Sequence, residues 1–201
     1  MARLIVISGP SGAGKGTLIA RVLPLFGDLV VSVSATTRLR RAGEREGREY
    51  FFMSREDFVR RVEEGAFLEW AEYGGNLYGT PAAAVEAYLA SGRDVILEIE
   101  LQGARQVKER VNDALLVFIA PPDLGELEQR LRRRNTESQD AIARRMEHAR
   151  EEMDELARDM VRKSREFHYV IVNDDVEAAG EALRDVIEDI RANDPERWPR
   201  A

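Results

Sequence analysis

The stretch that decides the fold reads Arg3-Leu4-Ile5-Val6-Ile7-Ser8-Gly9-Pro10-Ser11-Gly12-Ala13-Gly14-Lys15-Gly16-Thr17, near the start of a 201-residue chain. The apolar run Leu4–Ser8 predicts a buried strand, and Thr17–Leu25 predicts a helix. The glycine-rich segment between them is therefore typical of a phosphate-binding loop. Gly9, Gly12 and Gly14 can adopt backbone angles that other residues avoid, which allows successive N–H groups to face one anion.

Lys15 adds a positive charge where the loop enters the helix, and helix N-termini already attract anions. We expect Lys15 to contact the β- and γ-phosphates of a nucleoside triphosphate. Most such loops follow the lysine with Ser or Thr as a ligand for Mg²⁺, whereas this chain has Gly16 and then Thr17. That form resembles nucleoside monophosphate kinases and argues against a direct hydroxyl ligand to the metal. The residues expected to bind the triphosphate are Gly9, Pro10, Ser11, Gly12, Ala13, Gly14, Lys15, Gly16 and Thr17.

Composition narrows the functional classes. The formal net charge of −7 argues against non-specific nucleic-acid binding, which depends on a basic surface. The chain has no cysteine and 2 histidines, which argues against a disulfide framework and against a histidine-based zinc site. No uninterrupted apolar run reaches the ~18 residues of a membrane span, and no signal peptide is recognisable. We therefore expect a cytoplasmic protein with neither a membrane nor a nucleic-acid partner.

Short apolar runs alternate with helical patterns, which predicts an α/β fold with a parallel sheet flanked by helices. Strands are expected at Leu4–Ser8, Leu29–Val33, Val95–Ile99, Leu115–Ile119 and Tyr169–Val172, with weaker signals at Tyr50–Met53 and Phe67–Tyr73. Helices are expected at Thr17–Leu25, Pro81–Ala90, Gln102–Arg110, Leu124–Arg133, Ile142–Glu166 and Val176–Ile190.

Two segments interrupt the alternation and suggest inserted parts. We expect a core nucleotide-binding domain of residues 1–33, 81–124 and 146–192. Residues 34–80 are interpreted as a substrate-binding subdomain, 125–145 as a mobile lid and 193–201 as a loose tail.

The first inserted segment contains a candidate for a second phosphate site. Arg38 and Arg41 are three residues apart, so one short turn can direct both guanidinium groups to one anion. Ser34 and Tyr50 add hydroxyl donors. The alternative is a solvated loop in which arginines pair with nearby carboxylates, and composition alone favours that alternative. The carboxylates in question are Glu44, Glu46 and Glu49.

The wider pattern resembles a guanylate kinase. The matching motifs occur in the family's order and extend over about residues 3–190. They are G-P-S-G-A-G-K, S-A-T-T-R-x-x-R, G-x-x-Y-x-F, F-L-E-W-A, Y-G-T-P, L-E-I-E-L-Q-G and V-I-V-N-D-D. The resemblance implies a P-loop NTPase-type fold, a GMP-binding subdomain at residues 34–80, and transfer of a phosphoryl group from ATP to GMP with Mg²⁺. The metal is then expected to be held through nucleotide phosphates and water.

The resemblance also implies an acceptor site. It assigns the phosphate of GMP to Ser34, Arg38, Arg41, Tyr50 and Tyr78, and it assigns the guanine base to Glu69 and Thr80. A carboxylate at Glu69 can accept hydrogen bonds from N1–H and the 2-amino group, and a hydroxyl at Thr80 can donate to O6. Adenine has an unprotonated N1, and each buried polar group left unpaired costs roughly 1–3 kcal/mol. Taken alone, Glu69 would more often be an exposed strand residue.

The donor site follows from the same resemblance, which assigns Arg130, Arg134 and Arg145 to the donor phosphates or the adenine ring. Arg130 and Arg134 share a helix face, because they are four residues apart. Without the family pattern they would fit a solvated helix end equally well. Asn173 is expected to contact adenine. Lys15 and Arg38, together with the three lid arginines, are expected to neutralise charge during transfer.

Glu98 and Glu100 flank Ile99 at the end of a predicted strand. Strand alternation predicts that both side chains point the same way, toward either GMP or water around Mg²⁺. The sequence leaves that choice open, along with a role in capping the next helix. It also leaves open a monomer or a homodimer, a different acceptor such as AMP or a ribose phosphate, and a non-catalytic scaffold.

Overall fold

Strand β1 (Leu4–Ser8) is buried at every residue and leads directly into the glycine-rich loop. The protein is seen here as a computed structural model, which describes residues 2–133, 139–162 and 166–192. The other strands are β2 (Leu29–Val31), β3 (Ala35–Thr36), β4 (Phe51–Phe52), β5 (Phe67–Tyr73), β6 (Asn76–Pro81), β7 (Asp94–Glu98), β8 (Leu115–Ala120) and β9 (Tyr169–Val172). The helices are α1 (Lys15–Val22), α2 (Arg55–Glu63), α3 (Ala82–Ala90), α4 (Leu101–Arg110), α5 (Leu124–Arg133), α6 (Gln139–Arg162) and α7 (Val176–Ala192), with a short 3-10 helix at Leu23–Leu25.

The strands form two sheets. The five-stranded sheet has the order β2-β7-β1-β8-β9, and β2 pairs with β7, and β8 with β9, in parallel. The four-stranded sheet has the order β4-β3-β6-β5, in which β6 runs antiparallel to both β3 and β5. A parallel sheet with helices between its strands confirms the predicted α/β fold class.

The chain divides into two compact units. The first comprises Met1–Val6 and Asp28–Ala114. It contains the four-stranded sheet, whose small core is built from Ala35, Phe58, Phe67 and Leu77. The rings of Phe58 and Phe67 stack with centroids 4.5 Å apart.

The second unit comprises Ile7–Gly27 and Leu115–Ala201. It contains the glycine-rich loop, α1, β8, β9 and the last three helices. Helices α5 and α6 share a core of Leu127, Leu131, Ile142, Met146 and Ala149. Among the described residues, no helix is both long and apolar enough to cross a membrane. The predicted division into core, GMP-binding subdomain, lid and tail stays a prediction.

Most predicted elements are confirmed; β1, β5 and β9 have the predicted ends, and α5 has the predicted start. Helix α1 begins at Lys15, two residues earlier than predicted, because Gly14 takes a left-handed conformation as its N-cap. Strand β7 ends at Glu98, one residue earlier than predicted. The predicted end of α6 at Glu166 was too late, because Glu166 is not helical.

Three elements of the first unit were not predicted: β3, α2 and β6. Strand β6 contains Gly79 and ends at Pro81, and both residue types normally argue against a strand. Gly79 is required there, because a Cβ at this position would lie 2.9 Å from the carbonyl oxygen of Glu69. Helix α2 had a readable signal, since the Ser54 side chain accepts a hydrogen bond from the Asp57 N–H as an N-cap.

Candidate active site

The glycine-rich loop has the backbone that its sequence predicts. Gly9, Gly12 and Gly14 have φ angles of 138°, 97° and 97°, which side-chain-bearing residues rarely adopt. A Cβ on Gly9 would also overlap the carbonyl oxygen of Ile119. The position therefore accepts only glycine, for both conformational and steric reasons.

Lys15 folds back over the loop. Its Nζ donates to the carbonyl oxygens of Gly9 at 2.5 Å and Pro10 at 3.2 Å. The ammonium group is thus held against the loop by two neutral acceptors. Anionic phosphate oxygens form stronger, charge-assisted hydrogen bonds than carbonyl oxygens do. This conformation can therefore release the lysine to an arriving triphosphate.

Asn173 follows β9 and is only 1% exposed. Its Nδ2 donates to the carbonyl oxygen of Ala13 at 2.7 Å, so the amide braces the phosphate loop. A Cβ on Gly14 would overlap the same Nδ2 atom, which explains a second glycine of the loop. The Oδ1 atom is buried without a hydrogen-bond partner among the described residues. Contact between Asn173 and adenine stays a prediction.

Two predicted lid arginines lie against the same region. Arg130 donates to the carbonyl oxygen of Asn173 at 2.9 Å and pairs with Glu126 at 3.0 Å. Arg145 donates to the hydroxyl of Ser11 at 2.5 Å. Both cations thus adjoin the phosphate loop or its brace. The third lid arginine, Arg134, lies outside the described residues.

The segment expected to hold the acceptor phosphate is organised by strand pairing. Strand β3 pairs with β4 and β6, which places Thr36 opposite Tyr78, and the Phe51 N–H donates to the Ser34 carbonyl oxygen at 2.9 Å. The rings of Tyr50 and Tyr78 meet edge to face, with centroids 6.0 Å apart. The structure therefore brings Tyr50 and Tyr78 together, and the backbone of Ser34 lies beside Phe51, the residue after Tyr50. Burial raises the pKa of the Tyr50 hydroxyl, which keeps it a neutral donor at neutral pH.

Arg38 lies beside this cluster and is paired with a carboxylate. Its Nη2 and Nη1 atoms donate to Glu44 at 2.8 and 3.1 Å, and Nη1 also donates to the carbonyl oxygen of Leu39. This is the ion pair that composition alone favoured. The hydrogen bond to Arg38 lowers the pKa of the Glu44 carboxyl, which keeps the pair charged. The Arg38 guanidinium lies 5.3 Å from the Tyr50 ring centroid.

The side chain of Arg41 is placed differently from that of Arg38. Its side chain is exposed, and its backbone N–H donates to Glu44 at 2.7 Å. The predicted binding of both arginines to one anion stays a prediction. One arginine is fixed in the cluster, and the other lies at the surface.

Glu69 and Thr80 face each other across β5 and β6 and are 4% and 1% exposed. The Thr80 hydroxyl donates to Glu69 Oε1 at 2.6 Å. Burial raises the pKa of the Glu69 carboxyl to about 7, although hydrogen bonds from Thr80 and the charge of Arg110 lower it. The hydroxyl has one proton, so donation to a base O6 requires Thr80 to rotate away from Glu69.

Strand alternation predicts that the side chains of Glu98 and Glu100 point the same way, and this stays a prediction. Strand β7 ends at the exposed Glu98, and Glu100 is the N-cap residue of α4. The Glu100 side chain makes no capping hydrogen bond to α4, so the structure does not support the capping alternative. The choice between GMP and metal-bound water stays open for both carboxylates.

Sequence reasoning missed the residues that contact β5 from outside. They come from α4, and they are Gly103, Gln106 and Arg110. The helix had been predicted, but single polar residues on a helix give no signal of a partner strand far along the chain. Across the described parts of the chain, no group of three or more histidine, aspartate or glutamate side chains is placed to hold a metal ion.

A glycine-rich loop between β1 and α1, lysine at its end and arginines beside it define a phosphate-loop nucleotide-binding protein. The guanylate kinase family model matches residues 1–190, and the chain belongs to the guanylate kinase family.

Proteins of similar sequence and structure carry the same family name. The guanylate kinase of Rubrobacter xylanophilus is 55% identical over 190 residues, covering 94% of this chain and 95% of that protein. The guanylate kinase of Parasynechococcus marenigrum is 54% identical, covering 89% of this chain and 94% of that protein. A crystal structure of guanylate kinase from Anaplasma phagocytophilum aligns with a TM-score of 0.72 at 30% identity, covering 96% of this chain and 87% of that one.

Proposed function

We propose that this protein transfers the γ-phosphoryl group of ATP to GMP, giving ADP and GDP. The observation that carries the proposal is the buried carboxylate of Glu69, bonded to Thr80 on the neighbouring strand. A carboxylate is an acceptor only, and guanine presents two adjacent donors, N1–H and the 2-amino group. Few other bases satisfy a buried acceptor in this way.

The donor triphosphate binds at the glycine-rich loop. Backbone N–H groups and the N-terminus of α1 surround its phosphates, and Lys15 leaves the carbonyl oxygens of Gly9 and Pro10 to contact them. Arg130 and Arg145 supply further positive charge from beside the loop. Arg134 has the same role in the proposal.

The acceptor phosphate binds among Ser34, Arg38, Arg41, Tyr50 and Tyr78. The hydrogen bonds of Arg38 use Nη1 and Nη2, so its Nε–H has no hydrogen-bond partner within the described residues. The second pKa of a phosphate monoester is about 6, so the nucleophilic oxygen is already ionised at pH 7. No general base is needed, and catalysis consists of alignment and charge neutralisation.

Mg²⁺ enters with ATP. Kinases that use ATP generally require this ion, which neutralises charge on the β- and γ-phosphates. The residue after Lys15 is Gly16, which has no hydroxyl, and Thr17 is exposed. These residues fit an ion held by nucleotide phosphates and water, with Glu98 and Glu100 as candidates to orient that water. Because ATP and GMP are cytoplasmic metabolites, we expect the enzyme to act in the cytoplasm, as a monomer or homodimer.

An acceptor panel tests the proposal. ADP formation is measured with ATP and Mg²⁺ and one of GMP, IMP, AMP, UMP or CMP. GMP should be the best acceptor, and AMP and the pyrimidine nucleotides should give almost no turnover. Equal rates with AMP would reject the proposed function.

The variant Glu69→Gln separates base reading from phosphate binding. It keeps the shape of the side chain but brings an amide NH₂ close to guanine donors. IMP lacks the 2-amino group, so it has one bond fewer to lose. The ratio of kcat/KM for GMP over IMP should fall, by at most the ~1.5–3 kcal/mol of one charged hydrogen bond. A constant ratio would remove Glu69 from base recognition.

A further inference from the structure

Strand β5 is an edge strand of the four-stranded sheet, so one side of its backbone has no strand neighbour in that sheet. Its pairing with β6 is irregular between Phe67 and Glu69 and becomes regular from Glu69 onward. Such irregularities bend a strand and redirect the side chains that follow. The orientation of Glu69 therefore depends on what holds β5 at this point.

Helix α4 supplies that support through side chains. The Trp70 N–H donates to Gln106 Oε1 at 3.1 Å, and Gln106 Nε2 donates to the Trp70 carbonyl oxygen at 2.8 Å. One glutamine amide thus satisfies both backbone groups of the residue next to Glu69, as a neighbouring strand would. Arg110 donates to the carbonyl oxygen of Phe67, at the start of the irregular stretch.

The same helix face determines how closely Glu69 can approach. Gly103 lies beneath the carboxylate, and a Cβ there would lie 2.6 Å from Glu69 Oε2. Positions 103, 106 and 110 follow the spacing that places residues on one side of a helix. Each has a different function: Gly103 leaves room, Gln106 holds Trp70, and Arg110 holds Phe67.

We propose that Gln106 is a specificity-determining positioning residue, which fixes the Glu69 carboxylate for the guanine base by holding both backbone groups of Trp70. The inference rests on the proposed function and adds a residue that acts through Glu69 without touching the substrate. Its effect is restricted to the base end of the acceptor. ATP and the acceptor phosphate do not depend on the orientation of Glu69.

The variant Gln106→Met tests this, because methionine keeps the length and bulk of glutamine and removes both hydrogen bonds. A misaligned Glu69 loses bonds to N1–H and the 2-amino group of GMP, but to N1–H alone in IMP. We expect kcat/KM to fall about tenfold for GMP and about threefold for IMP. These factors correspond to the loss of two hydrogen bonds with GMP and one with IMP, each at the energy typical of a neutral hydrogen bond. The KM for ATP should stay within about twofold.

The control is Glu109→Met, which places the same residue at an exposed position of the same helix. It should leave both kcat/KM values unchanged. Calorimetric titration of GMP without ATP gives a second readout, in which Gln106→Met should bind GMP about tenfold more weakly. Should Gln106→Met fail to fold, Gln106→Ala adds no bulk and is judged by the same ratio.

Each outcome of these experiments has a distinct interpretation. A fall in the GMP over IMP ratio with an unchanged KM for ATP supports the role of Gln106. A ratio that stays constant while both rates fall would overturn it, because Gln106 would then only stabilise the fold. Wild-type protein that does not use GMP as an acceptor would instead overturn the proposed function itself.

Discussion

The carboxyl group of Glu69 is the residue whose chemistry most directly links structure to substrate. Burial raises its pKa to about 7, so near neutral pH the free protein contains both protonation states. Guanine donors at N1 and the 2-amino group stabilise the charged form alone. Binding of GMP should therefore lower this pKa and release a proton wherever the free protein is protonated.

The affinity for GMP should consequently fall as the pH drops below about 7. Between pH 8 and pH 6 we expect about tenfold weaker binding attributable to Glu69, because the carboxyl must first lose its proton. Titration calorimetry in two buffers of different ionisation enthalpy measures the released proton.

The GMP phosphate also titrates in this range, so Glu69→Gln serves as the matched control. That variant retains the contribution of the phosphate and lacks that of the carboxyl. Parallel pH profiles for the two proteins would contradict the role of Glu69 ionisation.

Individual residues could be predicted to different degrees. The positive φ angles at Gly9, Gly12 and Gly14 followed from the motif, because only glycine adopts them without strain. The bond of Glu69 to Thr80 could not be predicted, since it depends on a register set by an unpredicted strand, β6. The burial of Asn173 against the phosphate loop gave no signal either, because that contact spans 160 positions of sequence.

Helices α1 and α4 both contribute to the candidate site, but they do so through different groups. Helix α1 presents its N-terminus to the loop, so its contribution comes from the backbone. Helix α4 presents one side to β5, so its contribution comes from side chains or from their absence. Sequence periodicity finds both helices, but the partner of a helix face has to be seen in the structure.

The requirement for glycine at position 103 can be tested by substitution. In Gly103→Ala the new Cβ would collide with Glu69 Oε2 and displace the carboxylate. We expect GMP affinity to fall about tenfold, while helix α4 gains up to about 1 kcal/mol from replacement of glycine by alanine. Calorimetry and thermal unfolding measure the two effects.

Gly27→Ala is the control for Gly103→Ala, because a Cβ on Gly27 has nothing within 4 Å. It should leave GMP binding unchanged. A Gly103→Ala protein that binds GMP normally would show that Glu69 has room to move without loss of function.

The loop before α1 gives a prediction about catalysis. Lys15→Met removes one preorganised positive charge, so kcat should fall at least about a hundredfold. Folding should persist, because the hydrogen bonds of Lys15 within the described residues go to two loop carbonyl oxygens, those of Gly9 and Pro10. Steady-state kinetics and circular dichroism measure both properties.

Arg158→Met, at an exposed position of α6, should retain wild-type kcat. Unchanged turnover in folded Lys15→Met would exclude the lysine from the transfer step.

At the scale of the whole molecule, the residues assigned to the two nucleotides fall in separate compact units. The acceptor residues Ser34 to Glu100 lie within Asp28–Ala114, and the loop and its arginines lie within Ile7–Gly27 and Leu115–Ala201. The sequence predicted an acceptor segment within residues 34–80 from its arginines and aromatic residues. It did not associate α4 with that segment.

This separation predicts how each nucleotide protects the backbone. GMP alone should slow amide hydrogen exchange in β5 and β6, because Glu69, Tyr78 and Thr80, which are assigned to GMP, belong to those strands. A non-hydrolysable ATP analogue should instead slow exchange in the loop between β1 and α1. Exchange is measured by mass spectrometry with each ligand alone, and the measurement with one ligand is the control for the measurement with the other. Identical protection patterns would contradict two separate binding sites.

The hydrogen bonds between Gln106 and Trp70 have a consequence for solubility. An edge strand with unpaired N–H and C=O groups is a template on which another chain can add a strand. Trp70 is 37% exposed, so β5 also offers an aromatic surface at that edge. The Gln106 amide occupies both backbone groups of Trp70. We therefore expect it to hinder the addition of a strand from another chain at this edge and so to reduce aggregation at high protein concentration.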